Sequence, residues 1–179
     1  YLGKIIDISI NSFIAKNIYY KAVKLRNAYL KTNDFSKLSK LNNFEWGTYN
    51  ILIGKIATMI DLPSINIKLK INIPIGSGMG SSAAITSSVI KAVYQELNKT
   101  ISNETLFNLT KEIEDFQHGR SSGADPSSII NGGIILYQHS ANGEKKFQSI
   151  IPKSGWDDGI VLINSGKPKE STGNMVSNV

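Results

Sequence analysis

Residues 74–84 read Pro74-Ile75-Gly76-Ser77-Gly78-Met79-Gly80-Ser81-Ser82-Ala83-Ala84, and they join two segments of different periodicity. Upstream, Ile65, Ile67, Leu69, Ile71 and Ile73 alternate with Asn66, Lys68, Lys70 and Asn72. That period of two predicts a strand with one dry and one wet face, as in an antiparallel sheet backed by helices. Downstream, Ile85, Val89, Val93 and Leu97 recur at steps of four and predict a helix over about 82–97. Glycine at every second position lets the connecting backbone take positive φ and approach a ligand without Cβ atoms in the way. A helix N-terminus presents free N–H groups and a positive dipole end, both of which attract anions. Ser77, Ser81 and Ser82 add hydroxyls for phosphate oxygens or a Mg²⁺ ion. The spacing is neither that of the Lys-ending P-loop nor G-x-G-x-x-G. A plain connector needs one glycine and one serine cap, far less than is present.

Working outward, Ile5, Ile6, Ile8 and Ile10 predict a first strand, and Tyr19 to Leu30 follow helical spacing. The polar stretch 33–43 reads as a connection. Tyr49, Leu52, Ile53, Ile56 and Ile60 mark a second helix, with Pro63 just past its end. A further helix starts at Ser102 or Asn103, carries Leu106, Leu109, Ile113 and Phe116 as its apolar stripe, and stops at Gly119. Gly132-Gly133 leads into a strand over 134–137, Asn142-Gly143 reads as a turn, and 160–164 as a last strand. The order is mixed α and β without a regular βαβ series, which is an α+β arrangement.

Composition narrows the chemistry. The 179 residues include no cysteine and two histidines, which excludes disulfide scaffolds, thiolate metal sites and multi-histidine centres. The net charge is +6, but the lysines are scattered and only 19% of residues are charged, which argues against a nucleic-acid footprint. No apolar run reaches the roughly 18 residues of a membrane span. A cytoplasmic protein acting on a small molecule is expected, with a homodimer as an open arrangement. Tyr1 and Val179 both read as cut ends, so an incomplete chain is expected.

The second informative stretch is Glu114-Asp115-Phe116-Gln117-His118-Gly119-Arg120-Ser121-Ser122-Gly123-Ala124-Asp125. Glu114 and His118, at i and i+4, share a helix face off the apolar stripe. Asp125 follows in a small-residue loop. Phosphoryl transfer to an alcohol asks for a Mg²⁺ ligand and a group at the hydroxyl, and two carboxylates suffice. Plainer readings stand beside this: Glu114 and Asp115 as a solvated helix face, Asp125 as an N-cap ahead of Pro126 at N1, and His118 as a helix C-terminal residue favoured by the dipole.

Residues 74–84 resemble the ATP-binding motif P-x-x-x-G-L/M-G-S-S-A-A of the GHMP kinases, and 114–125 resembles the E-x-x-x-H-G-x-P-S-G-x-D stretch of the mevalonate kinases among them. Ser121 departs from the proline of that pattern and Pro126 from an asparagine. The resemblance implies an α+β, two-domain GHMP-kinase-like fold. Residues 1–152 would form the N-terminal ATP-binding domain without its first strands, and 153–179 the start of the C-terminal domain. It implies ATP and Mg²⁺ as cofactors. Pro74, Gly76, Ser77, Gly78, Met79, Gly80, Ser81, Ser82 and Ala83 would bind ATP, Ser82 and Glu114 the metal, and Asp125 would be catalytic. His118, Ser122, Gly123 and Thr172 would lie on the substrate side. Residues 164–172, with Lys167, Lys169, Ser171 and Thr172, resemble a further basic segment before a helix. The family's early Gly-Lys…Gly-Glu-His segment and its late glycine-rich motif are absent from this sequence, and Lys4 receives no role. The expected activity is transfer of the γ-phosphoryl group of ATP to a hydroxyl, with mevalonate foremost. Phosphomevalonate, homoserine or a sugar are alternatives within the family, and a non-catalytic nucleotide- or RNA-binding module is an alternative outside it.

Overall fold

A computed structural model describes residues 4–43, 47–75, 78–139, 145–161 and 163. Strand β1 (Lys4–Ile10) is followed by the long helix α1 (Ser12–Thr32), a short helix α2 (Ser36–Ser39) and a 3₁₀ turn (Lys40–Asn43). Helix α3 (Gly47–Met59) leads to β2 (Ile65–Ile71), then α4 (Ser81–Glu96), α5 (Asn103–His118), α6 (Ala124–Asn131) and the strands β3 (Ile134–His139) and β4 (Lys145–Ile150).

The alternation over 65–71 forms the strand expected of it. β2 pairs antiparallel with β1, from Lys4 opposite Ile71 to Ile10 opposite Ile65. Its isoleucines and Leu69 turn inward while Asn66, Lys68 and Lys70 are exposed. The second sheet is the hairpin β3–β4, Ile134 opposite Ile150. The turn expected at Asn142-Gly143 lies outside the described residues.

Local signals set the helix ends. The Asn11 side chain accepts from the Ile14 N–H at 3.0 Å and starts α1. Ser102 does the same for Thr105 at 3.1 Å and starts α5. The helices then form one core, in which Ile53, Ile56, Ile90, Leu106 and Ile113 are fully buried. α1 and α3 approach so closely at Gly54 that a Cβ there would overlap the Ala15 carbonyl and stand 2.8 Å from Tyr19 Cβ. A half-buried group, the Tyr19 hydroxyl donating to Glu112 at 2.9 Å and Lys55 paired with Glu112 at 2.9 Å, ties α1, α3 and α5 together.

Two expectations are corrected. Residues 33–43 are not a bare connection: Leu38 and Leu41 are buried, and their burial folds the stretch into α2 and the 3₁₀ turn. The strand expected over 160–164 does not form among its described residues. Ile160, Val161 and Ile163 are exposed, and among the described residues no strand lies alongside to complete a ladder for them. Among the described residues no helix is long and apolar enough to cross a membrane.

Candidate functional site

The glycine loop ends at Gly80, whose φ of 63° is left-handed and which caps α4 with backbone alone. The first intrahelical bond runs from Ala84 N–H to Gly80 C=O at 3.0 Å. The amides of Ser81, Ser82 and Ala83 therefore precede the hydrogen-bond ladder and point out of the helix end, as an anion site requires. Gly78 is also left-handed, at 76°, while Met79 and Ile75 are exposed beside it. Gly76 and Ser77 lie outside the described residues.

Ser82 connects the loop to the carboxylate helix. Its hydroxyl donates to Gln117 Oε1 at 2.6 Å, and Gln117 Nε2 donates to Thr48 Oγ1 at 3.2 Å on α3. Gln117 and Thr48 were not singled out in the sequence; the available signal was that Gln117 stands three residues after Glu114, hence on its side of the helix.

Glu114 and Asp115 are not a solvated face: both are buried. The apolar stripe of α5 is wide enough that the positions flanking Ile113 and Phe116 are covered too. Glu114 Oε1 has no hydrogen-bond partner, and His118 Nε2 stands 3.8 Å from Oε2. Burial pushes the Glu114 carboxyl above the usual carboxylate range; Ser82 and His118 pull it back, and the charges of Asp125 and Asp115 push further up. Glu114 therefore stands beside Ser82 and His118, with Asp125 within electrostatic reach. Asp115 points the other way, towards Arg26 at 2.9 Å and Lys111 at 3.1 Å, and accepts from the Ser121 N–H at 2.6 Å.

The reading of Asp125 as an N-cap is corrected. Helix α6 begins one residue earlier, at Ala124, with Gly123 as its cap at φ 91°. Pro126 is the third helical residue and buried. The Asp125 side chain is free of capping and exposed, and its Cβ lies 3.9 Å from where a Gly80 Cβ would be. Chain segments 45 residues apart thus bring the loop glycine close to the Cβ of Asp125.

The substrate-side candidates are spread along the same turn. Ser122 is exposed, and its hydroxyl accepts from Ala124 N–H at 3.1 Å. Gly123 is buried against Phe107, whose ring stands 3.0 Å from a Cβ placed there. Thr172, with Lys167, Lys169 and Ser171, lies outside the described residues. The structure brings together Gly80, Ser82, Glu114, His118 and Asp125. Among the described residues no group of three or more His, Asp or Glu side chains is arranged to hold a metal alone.

The sequence has relatives among known proteins. The sequence profile of the GHMP kinases N terminal domain matches residues 43–133, half of the chain, spanning the loop, Glu114 and Asp125. The mevalonate kinase of Archaeoglobus fulgidus is 31% identical over 103 residues, covering 58% of this chain and 36% of that protein. That of Pyrococcus furiosus is 31% identical over 112 residues, covering 62% and 32%. The mevalonate kinase of Methanocaldococcus jannaschii is 26% identical over 186 residues, covering 96% and 59%. The chain spans about a third of the length of the first two. No solved structure matches it significantly. With a helix N-terminus opened by glycine, two acids beside it and the family profile laid over both, the chain belongs to the GHMP kinases.

Proposed function

We propose that this chain is the nucleotide-binding part of an ATP-dependent small-molecule kinase that transfers the γ-phosphoryl group to a substrate hydroxyl, with mevalonate as acceptor. The observation that carries the reading is the approach of Asp125 Cβ to the Gly80 turn, which sets an exposed acidic residue near an unladdered helix N-terminus. In this reading the Ser81, Ser82 and Ala83 amides bind phosphate oxygens. The left-handed glycines let the phosphates reach those amides. Asp125 orients the acceptor hydroxyl and takes its proton as the phosphoryl group leaves.

The residues present fit Mg²⁺. Glu114 offers a buried oxygen with no protein partner, Ser82 offers a hydroxyl next to it, and two oxygen ligands completed by phosphate and water are what Mg²⁺ uses. When bound, the ion supplies charge neutralisation of the nucleotide phosphates. Mevalonate as acceptor is supported by the relatives named above, which are mevalonate kinases.

The test is turnover of the full chain with Mg-ATP and a panel of mevalonate, phosphomevalonate, homoserine and galactose, beside Asp125→Asn. A general base contributes about 10²- to 10⁴-fold, so the variant should lose about that much turnover while its nucleotide affinity stays within about twofold. Turnover unchanged in Asp125→Asn defeats the role given to this residue. Preference for another alcohol defeats mevalonate and leaves the kinase.

A further inference from the structure

The turn that carries Asp125 is held by a carboxylate that the kinase reading does not use. Asp115, next to Glu114 on α5, is buried and is bonded to Arg26, Lys111 and the Ser121 backbone. Arg26 from α1 meets Oδ2 at 2.9 Å, and Lys111 from the preceding turn meets it at 3.1 Å. Oδ1 accepts from the backbone N–H of Ser121 at 2.6 Å. Charge-assisted bonds of this length are about twice as strong as neutral ones. Downstream, the Ser121 hydroxyl accepts from Gly123 N–H at 3.2 Å and the Ser122 hydroxyl from Ala124 N–H at 3.1 Å. Hydrogen bonds therefore run from the Arg26–Asp115–Lys111 cluster through Ser121 to Gly123, two residues before Asp125, and the separate Ala124–Ser122 bond braces the next step of the turn.

Position 121 is where this sequence departs from the proline of the motif quoted above. Proline has no N–H and fixes its own φ. Serine leaves the backbone free and supplies the donor that Asp115 takes. A proline at 121 would restrain the turn through its ring, whereas here the restraint is the hydrogen bond to buried Asp115.

We propose that Asp115 is a positioning residue, one that holds the 119–123 turn through the Ser121 amide, and with it the approach of Asp125 to Gly80, in place of a proline. The inference rests on the reading of Asp125 as the group at the acceptor hydroxyl. Arg26 and Lys111 are part of the device, because their ion pairs orient the Asp115 carboxylate. Arg26 additionally stands over the Phe116 ring at 5.7 Å, so the anchor is fixed to the helix core.

Three variants of the full chain test it: Asp115→Asn, Ser121→Pro and the two combined. The first weakens the anchor while keeping the side-chain shape. The second removes the Ser121 N–H and the hydroxyl that accepts from Gly123, and leaves the Arg26–Asp115–Lys111 cluster intact, which keeps the test informative if Asp115→Asn folds poorly. A misplacement of about 1 Å at a reacting group costs up to about 100-fold. Asp115→Asn should accordingly lower kcat by about 10- to 100-fold with the KM for ATP nearly unchanged. The double variant should recover kcat to near that of Ser121→Pro, since the ring restores the restraint. Amide exchange of the 119–123 turn, which needs no turnover, should quicken about tenfold or more in Asp115→Asn and return to the Ser121→Pro rate in the double variant.

Wild-type exchange and kcat in Asp115→Asn overturn the proposal. So does a double variant no better than Asp115→Asn, because a purely structural role would not respond to proline. If the wild-type chain turns over none of the alcohols, the kinase reading fails on its own, and the exchange rates still decide whether Asp115 anchors the turn.

Discussion

Glu114→Gln separates stability from function at this site. The wild-type chain buries a carboxylate with one oxygen, Oε1, lacking any partner. A buried polar atom left unsatisfied costs about 1–3 kcal/mol, and more when charged. Glutamine keeps the shape and removes the charge, so the folded state should gain at least about 1 kcal/mol at pH 7. For a chain of this size that is a rise in Tm of about 2–4 °C per kcal/mol. The sign follows from linkage. Burial raises the Glu114 carboxyl in the folded state above its unfolded value, so the folded protein binds that proton more tightly. The wild type is therefore penalised where Glu114 must ionise, above its folded value, and the penalty fades as pH falls towards the ordinary carboxylate range. The Tm advantage of Glu114→Gln should shrink on the same descent. Nucleotide binding should move oppositely. Mg-ATP at 100 times its Kd stabilises the wild type by about 2.7 kcal/mol, and the variant should lose most of that shift. Thermal melts from pH 5 to 8, with and without Mg-ATP, read both effects. A variant that melts lower than wild type at pH 7, or that keeps the full Mg-ATP shift, would refute the assignment of Glu114 as a buried ligand held ready for a cation.

Two further predictions concern the packing that supports the site. Gly119 has φ 84° and a Cβ there would lie 2.5 Å from the Tyr29 hydroxyl, so Gly119→Ala should destabilise by about 2–4 kcal/mol through strain and overpacking together, read as a lower urea midpoint with an unchanged m-value. Gly54→Ala should also destabilise, by about 1–3 kcal/mol, although alanine is the better helix former by about 1 kcal/mol; a stabilised variant would mean that α1 and α3 do not meet there.

Much of the site was legible in the chain because its signals are local. The alternation over 65–71 determined the inward face of β2, since side chains on a strand must alternate. The glycines and serines of 74–84 marked a turn into a helix N-terminus whatever packed around it. Ser102 and Gly119 bounded α5 through their own backbone chemistry. Burial did not announce itself in the same way. Glu114 and Asp115 look like surface residues by type, and the short helices over 36–43 were hidden among polar neighbours. In both cases what decided the outcome was contact with segments far along the chain.

The sequence by itself determined which residues could bind an anion and which could act as acids, because those properties reside in the residue and its immediate backbone. The tertiary structure alone decided that Asp125 lies against Gly80, that Glu114 is stripped of water beside Ser82, and that Asp115 faces Arg26 to hold the Ser121 amide. The physical reason is that desolvation and proximity belong to pairs of segments brought together by the packed helices, and neither is a property of any one of them.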